Sequence, residues 1–372
     1  MTTVIRAAGA ADLLAMIPAL VGFEPRNSVV LVAFRGNRTR GAMRFDLPAS
    51  GFTRFATTTI GMFCKIGGVD GVVPVIRTDE PFEERSDLLG TLVRRLEQSG
   101  FRVLGALWHS STGWGSYFDP EVPEGGHPLA DIASSPVVSQ IPADARPMEL
   151  PERVPDADEA SRGRMRDQLA LLRQRLERWD ESDPDSDPGA DLSRLEDLPF
   201  FAEGALEWDD SAVDSHGALL LFAIQGPPVR DLVMLQWAYE QEFGDAMWSA
   251  DTCMGVEARK RHADPHVEAA ERMMGRGPRP DPERIERAIA LLRTLVSRAD
   301  DAERPAPLCM LAWLNWALGR ASVAARHLEE ALAIDPEYGM AELLDTMWSN
   351  GMLPEWAFIP PTQTSPTQTS PT

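Results

Sequence analysis

The N-terminal third of the chain alternates between short apolar runs and amphipathic stretches. Leu13, Leu14, Ile17 and Leu20 fall on one face of a helix over Asp12–Val21, which Gly22 ends. Ser28–Phe34 is an almost unbroken apolar, β-branched run, the pattern of a strand buried on both faces. After a polar loop, Arg35–Gly41, the segment Ala42–Leu47 puts Met43 and Phe45 on one side, so the two runs predict a hairpin. A helix is expected over Phe52–Ile66 and a strand over Gly71–Ile76, with Pro74 implying an edge or a bulge. Pro81–Ser99 carries the stripe Leu88, Leu89, Leu92, Val93, Leu96, with Gly100 at the C-cap, and Phe101–Leu107 reads as the next strand. Strand, helix, strand with short joints predicts an α/β domain, a mixed sheet with flanking helices, over residues 1–145.

Beyond it the pattern changes. Residues 146–212 read as a polar helix, Asp158–Trp179, followed by an acidic Pro/Ser linker that has too little apolar surface to order itself. Residues 213–356 turn helical, with expected helices over 215–225, 228–243, 264–274, 281–299, 305–318, 321–334 and 337–349. Asp264-Pro265 and Asp281-Pro282 are N-cap and first-turn proline pairs. Pro305–Pro336 resembles a tetratricopeptide repeat: Leu308, Leu311 and Ala312 on one helix, a turn at Gly319, then Ala324, Leu328 and Ala331 facing it. Asn315 departs from that pattern, which has an apolar residue there. The fold class read from the sequence is therefore an α/β N-terminal domain plus an all-α, tetratricopeptide-like C-terminal region. The repetitive tail, residues 357–372, is expected to stay disordered.

Charge narrows the function classes. Lys and Arg number 36 against 57 Asp and Glu, a net charge of −21, which disfavours nucleic-acid backbones and anionic membranes. Residues 1–60 run the other way, with Arg6, Arg26, Arg35, Arg38, Arg40, Arg44 and Arg54 against Asp12, Glu24 and Asp46. An anion site there and a solvated hairpin tip are both open readings. No apolar run is long enough to span a bilayer, and three scattered cysteines, Cys64, Cys253 and Cys309, point to a reducing, cytoplasmic setting. Cys64 and Cys309 sit in apolar helical stretches and are expected to be buried.

Phosphate-binding loops, dinucleotide fingerprints, HExxH, GxSxG and CxxC pairs are all missing from the sequence. The candidate ligand pocket is Trp108-His109 at a strand end, followed by Ser110, Trp114, Tyr117 and Asp119, with Glu24 and Arg26 as polar partners from the preceding loop. A histidine, hydroxyls, a carboxylate and flat aromatics suit acid–base work or ring stacking. In the competing reading Trp114 and Tyr117 pack the sheet while His109 caps the strand. His262 and His266 flank Asp264, but Pro265 starts a helix between them and no metal site is read there. No cofactor is read from the sequence.

Val21-Gly-Phe-Glu-Pro-Arg-Asn-Ser-Val-Val-Leu-Val32 resembles the opening of an actinobacterial family, domain of unknown function 4192. The likeness continues at Leu92–Leu107, Trp114-Gly-Ser-Tyr-Phe118, Pro123-Glu-Gly-Gly-His-Pro-Leu129 and Pro228-Val-Arg-Asp-Leu232. It implies no established activity. Relatives often carry cysteines where this chain has Phe118–Val122, so a cysteine-based metal or redox role implied for them has no ligands here. The leading functional expectation is a non-enzymatic interaction protein that docks a protein partner through its C-terminal helices. The alternative is an enzyme or small-ligand sensor using the pocket around His109.

Overall fold

The computed structural model describes residues 5–142, 154–179, 189, 191–252 and 264–358. Cys253, His262, most of the acidic stretch and nearly all of the C-terminal tail lie outside them. Chain contacts divide the protein into two compact units, 1–150 and 151–372.

The first unit is a mixed sheet between helices. In chain order it comprises α1 (Ala10–Val21), β1 (Ser28–Arg35), β2 (Arg38–Asp46), α2 (Phe52–Phe63), β3 (Gly71–Arg77), α3 (Ser86–Gln98), β4 (Arg102–Val103), β5 (Leu107–His109), β6 (Trp114–Ser116) and α4 (Ala130–Ala133). The strand order is β2-β1-β3-β5-β6, with β4 also on β3. β1 runs antiparallel to β2 and β3, β3 runs parallel to β4 and β5, and β6 is antiparallel to β5. The unbroken apolar run of β1 has a simple cause. Val29, Leu31 and Ala33 face the core beneath α2 and α3, while Val30 and Val32 face α1.

Three strand expectations are corrected. The hairpin tip is only Gly36-Asn37, since Arg35 already pairs with Arg38. Pro74 lies in a central strand, opposite Leu31, not at an edge or bulge. The Val72 carbonyl accepts from the Leu104 N–H at 2.9 Å, which puts the Pro74 nitrogen, two residues on, along the same edge of β3. There the parallel ladder is interrupted between Val72↔Val103 and Val75↔Leu107, so no ladder bond is lost. The same interruption splits the expected strand 101–107 into β4 and β5.

The second unit is all helical: α5 (Glu159–Arg178), α6 (Leu198–Ala205), α7 (Asp210–Ala223), α8 (Pro227–Ala238), α9 (Gln241–Thr252), α10 (Pro265–Met273), α11 (Pro282–Arg298), α12 (Pro305–Ala317), α13 (Ala321–Ile334) and α14 (Gly339–Ser349). Every residue of α12 is buried, so the remaining helices surround it. Asn315 is tolerated inside because its side-chain amide donates to the Leu311 carbonyl at 2.8 Å. The two expected caps form: the Asp264 carboxylate accepts from the His266 N–H, and that of Asp281 from Glu283 and Arg284. Leu308, Leu311 and Ala312 on α12 and Ala324, Leu328 and Ala331 on α13 are all buried.

Three sequence readings change here. α5, expected within a connecting segment, packs Met165, Leu169 and Leu172 into this unit's core. α6, unforeseen, starts at an Asp197 cap and buries Leu198, Phe201, Ala202 and Ala205. The helix expected over 228–243 breaks at Tyr239, dividing α8 from α9.

Candidate functional site

The register of β1, β3 and β5 gathers three segments at one end of the sheet. Ser28 at the start of β1 is opposite Arg77 at the end of β3, and Arg77 is opposite His109 at the end of β5. The loop before β1 therefore meets the two parallel strand ends, the place where open α/β sheets present ligand sites.

Arg77 is only 9% exposed, and it ion-pairs with Glu24, whose side chain is 53% exposed. A guanidinium carries five N–H donors. Among the described residues Glu24 is the one acceptor it meets. Burial pulls the Arg77 pKa below the usual arginine value, and the charges of Glu24 and Asp79 oppose that fall. His109 is partly buried beside it. Desolvation, then the Arg77 charge, lower its pKa to about 4, so the imidazole is neutral at neutral pH. Among the described residues its ring nitrogens make no hydrogen bond.

The loop carrying Glu24 is fixed at both ends. Gly22 (φ 88°) closes α1 in the left-handed region, and Asn27 (φ 42°) is the one non-glycine residue with positive φ among the described residues. The Asn27 amide donates to Asp79 Oδ2 at 2.9 Å, and its Oδ1 accepts from the Asp79 N–H at 3.0 Å. The Ser111 hydroxyl donates to the Asp79 carbonyl at 3.0 Å, and the Thr78 N–H donates to the His109 carbonyl at 3.0 Å. These bonds lace the three segments together around Arg77 and His109.

Of the residues singled out from sequence, Glu24 and His109 belong to this cluster. Arg26 contributes its carbonyl, which accepts from Ser28 and Arg44, while its side chain is exposed. Trp108 belongs to the core, 5% exposed and stacked on Phe82 at 4.6 Å; a side chain at Gly115 would strike its ring. Tyr117 rests its hydroxyl against Gly90 of α3. Ser110 is buried in the turn, donating to the Gly113 carbonyl at 3.1 Å. Trp114 packs with the α1 side of the sheet, tilts over His127 at 4.7 Å and donates to the Pro128 carbonyl. Asp119 lies 4.0 Å from His127. Sequence reasoning overlooked Arg77 and Asp79; it read Asn27 and Ser28 as stabilising their own turn, without the distant partner Asp79. A charged residue ending the otherwise apolar run Gly71–Ile76 was the available signal for Arg77.

A shallow groove of about 670 Å³ elsewhere on this unit is lined by Phe52, Arg54, Asp87, Thr91 and Arg94, all exposed or half-buried. Among the described residues no group of three His, Cys, Asp or Glu side chains could hold a metal ion. No described helix is long and apolar enough to cross a membrane.

Residues 11–265 and 266–355 match the family model for a domain of unknown function, DUF4192. The chain belongs to the DUF4192 family. No curated protein and no solved structure matches it. In this DUF4192 chain the opening stretch Val21–Val32 supplies Glu24 and Asn27, together with the first residues of β1 that set them against Arg77.

Proposed function

We propose that the N-terminal unit binds a small polar ligand at the ends of β3 and β5. One observation carries this reading: a buried guanidinium and a neighbouring neutral imidazole both have hydrogen-bonding capacity that no described residue uses. Neither residue is among those with a buried, unpartnered side-chain nitrogen, so the unused N–H groups of Arg77 and the ring nitrogens of His109 face solvent, where a ligand can reach them. Structural ion pairing alone accounts for one of the five donors of Arg77. The test is native mass spectrometry of the full chain purified from its own host. The wild type carries a small co-purifying mass, and Arg77→Met loses it while keeping its circular dichroism. Retention of that mass by the variant defeats the reading.

A second reading, a protein partner docked on the helical unit, is favoured by one feature of α5. Its buried stripe Met165, Leu169, Leu172 continues at helical spacing into Leu176 and Trp179, which are 43% and 39% exposed. A co-purifying polypeptide in the same spectra, lost on joint replacement of Leu176 and Trp179 by Ser, supports it. A polypeptide retained by that variant counts against it. The reducing, cytoplasmic setting proposed alongside rests on the scattered cysteines. Cys309 is a buried free thiol, whereas Cys64, expected inside, is exposed at the end of α2.

A further inference from the structure

The strand-end cluster also constrains the charge of what binds there, an inference that rests on the ligand-site reading above. Arg77 and Glu24 are already a neutral pair, and Asp79 adds a negative charge at the rim. A simple anion placed on the free N–H groups of Arg77 would sit beside two carboxylates, and Glu24 would have to leave. A simple cation would satisfy Glu24 and leave the donors of Arg77 unused. Glu24 gives one carboxylate oxygen to Arg77, and its other oxygen has no partner among the described residues. A molecule with both charges needs neither concession. Its carboxylate meets the planar fork of Arg77, a geometry suited to two parallel hydrogen bonds. Its ammonium meets the free oxygen of Glu24. The neutral ring of His109, next to Arg77, adds a hydrogen-bonding group without adding charge, and the Ser111 oxygen accepts from no donor among the described residues.

We propose that the site binds a compact zwitterion, a free α-amino acid or a comparably small molecule carrying one carboxylate and one ammonium, with the carboxylate on Arg77 and the ammonium on Glu24. The bracing of the loop by Asn27 and Asp79 holds these two complementary charges side by side before the ligand arrives.

The experiment is calorimetric titration of the full-length protein with each of the common L-amino acids, with acetate, methylammonium and inorganic phosphate as comparators. Glu24→Gln and Arg77→Met are titrated in parallel; Glu24 is half-exposed, so its amide variant keeps the fold. At least one amino acid is expected to bind with Kd below about 1 mM, weakened about tenfold or more by Glu24→Gln and abolished by Arg77→Met, while the comparators do not bind. Acetate or phosphate binding as tightly as any amino acid, and tightening in Glu24→Gln, overturns the proposal in favour of an anion that displaces Glu24. No amino acid binding, although a co-purifying small mass is lost from Arg77→Met, overturns the zwitterion while the ligand site stands. Absence of both removes the site as well.

Discussion

At the residue scale, loss of water is the common cause behind Arg77 and His109. Burial opposes charge on each, yet Arg77 keeps its charge because Glu24 compensates, whereas His109 has only the like charge of Arg77 beside it and stays neutral. The consequence for stability has a definite sign. The pKa of His109 falls from the ordinary 6.5 to about 4 on folding, so between those values the unfolded chain binds more protons. The contribution of neutral His109 is complete above 6.5 and is lost as pH falls toward 4, at no more than about 1.4 kcal/mol per pH unit. Protection of β1 and β3 amides, taken relative to their intrinsic exchange rates at each pH, is expected to fall between about pH 7 and about pH 4.5, and to do so less in His109→Gln. The pKa of His327 in the second unit is likewise lowered to about 4 by burial, then by Arg293, so the helical unit is expected to lose stability over the same range. His109 and Glu24 were legible in the sequence because polar residues at the borders of apolar runs mark strand ends. Arg77 carried the same border signal, but nothing local distinguishes a solvated strand-terminal arginine from one roofed over by a loop 53 residues away.

At the element scale, short-range chemistry predicts starts and stops better than it predicts partners. Asp281 followed by Pro282 is enough to begin α11, and Asp281→Ala is expected to cost about 1 kcal/mol in urea unfolding. Trp356, near the end of the described chain, is only 2% exposed, and its indole N–H donates to the Ala317 carbonyl at 3.0 Å, sealing the end of α12. Trp356→Ala is expected to cost about 3–5 kcal/mol by the same measurement, among the larger losses open to a single side chain. That importance had no local signal, because it comes from a return of the chain across 39 residues. Pro74 teaches the reverse. The rule that proline marks an edge concerns a missing donor, and here the donor is missing where the neighbouring strand has no acceptor to offer.

At the scale of the whole molecule, the two units keep separate cores. Residues from Val29 to Trp108 and from Leu14 to Leu107 fill the two faces of the sheet, while Val154 to Trp356 form the helical core. Fragments 1–150 and 151–372, expressed apart, are each expected to show a cooperative urea transition; a fragment that unfolds without one shows that its core depends on the other unit. Inside the second unit an arginine illustrates how distant segments are tied. Arg304 is 1% exposed and pairs with Asp156, which precedes α5. It bonds the Ala299 carbonyl as well. Such a buried charge is retained because its partners are in place, and it anchors α5 to a core from which polar composition alone would exclude it.

The sequence alone determined the change from α/β to all-α character, the amphipathic faces of α1 and α3, the capped starts of α10 and α11, and the doubly buried nature of β1. These depend on periodicity and on contacts within a few residues, which a linear reading contains. Only the tertiary structure decided that Arg77 stands between Glu24 and His109, that Trp108 points into the core and away from the site, that α5 and α6 belong to a core, and that α12 is enclosed on every side. Each of those outcomes depends on strand register or helix packing between segments far apart in the chain, and the energy that selects them appears only when the segments meet.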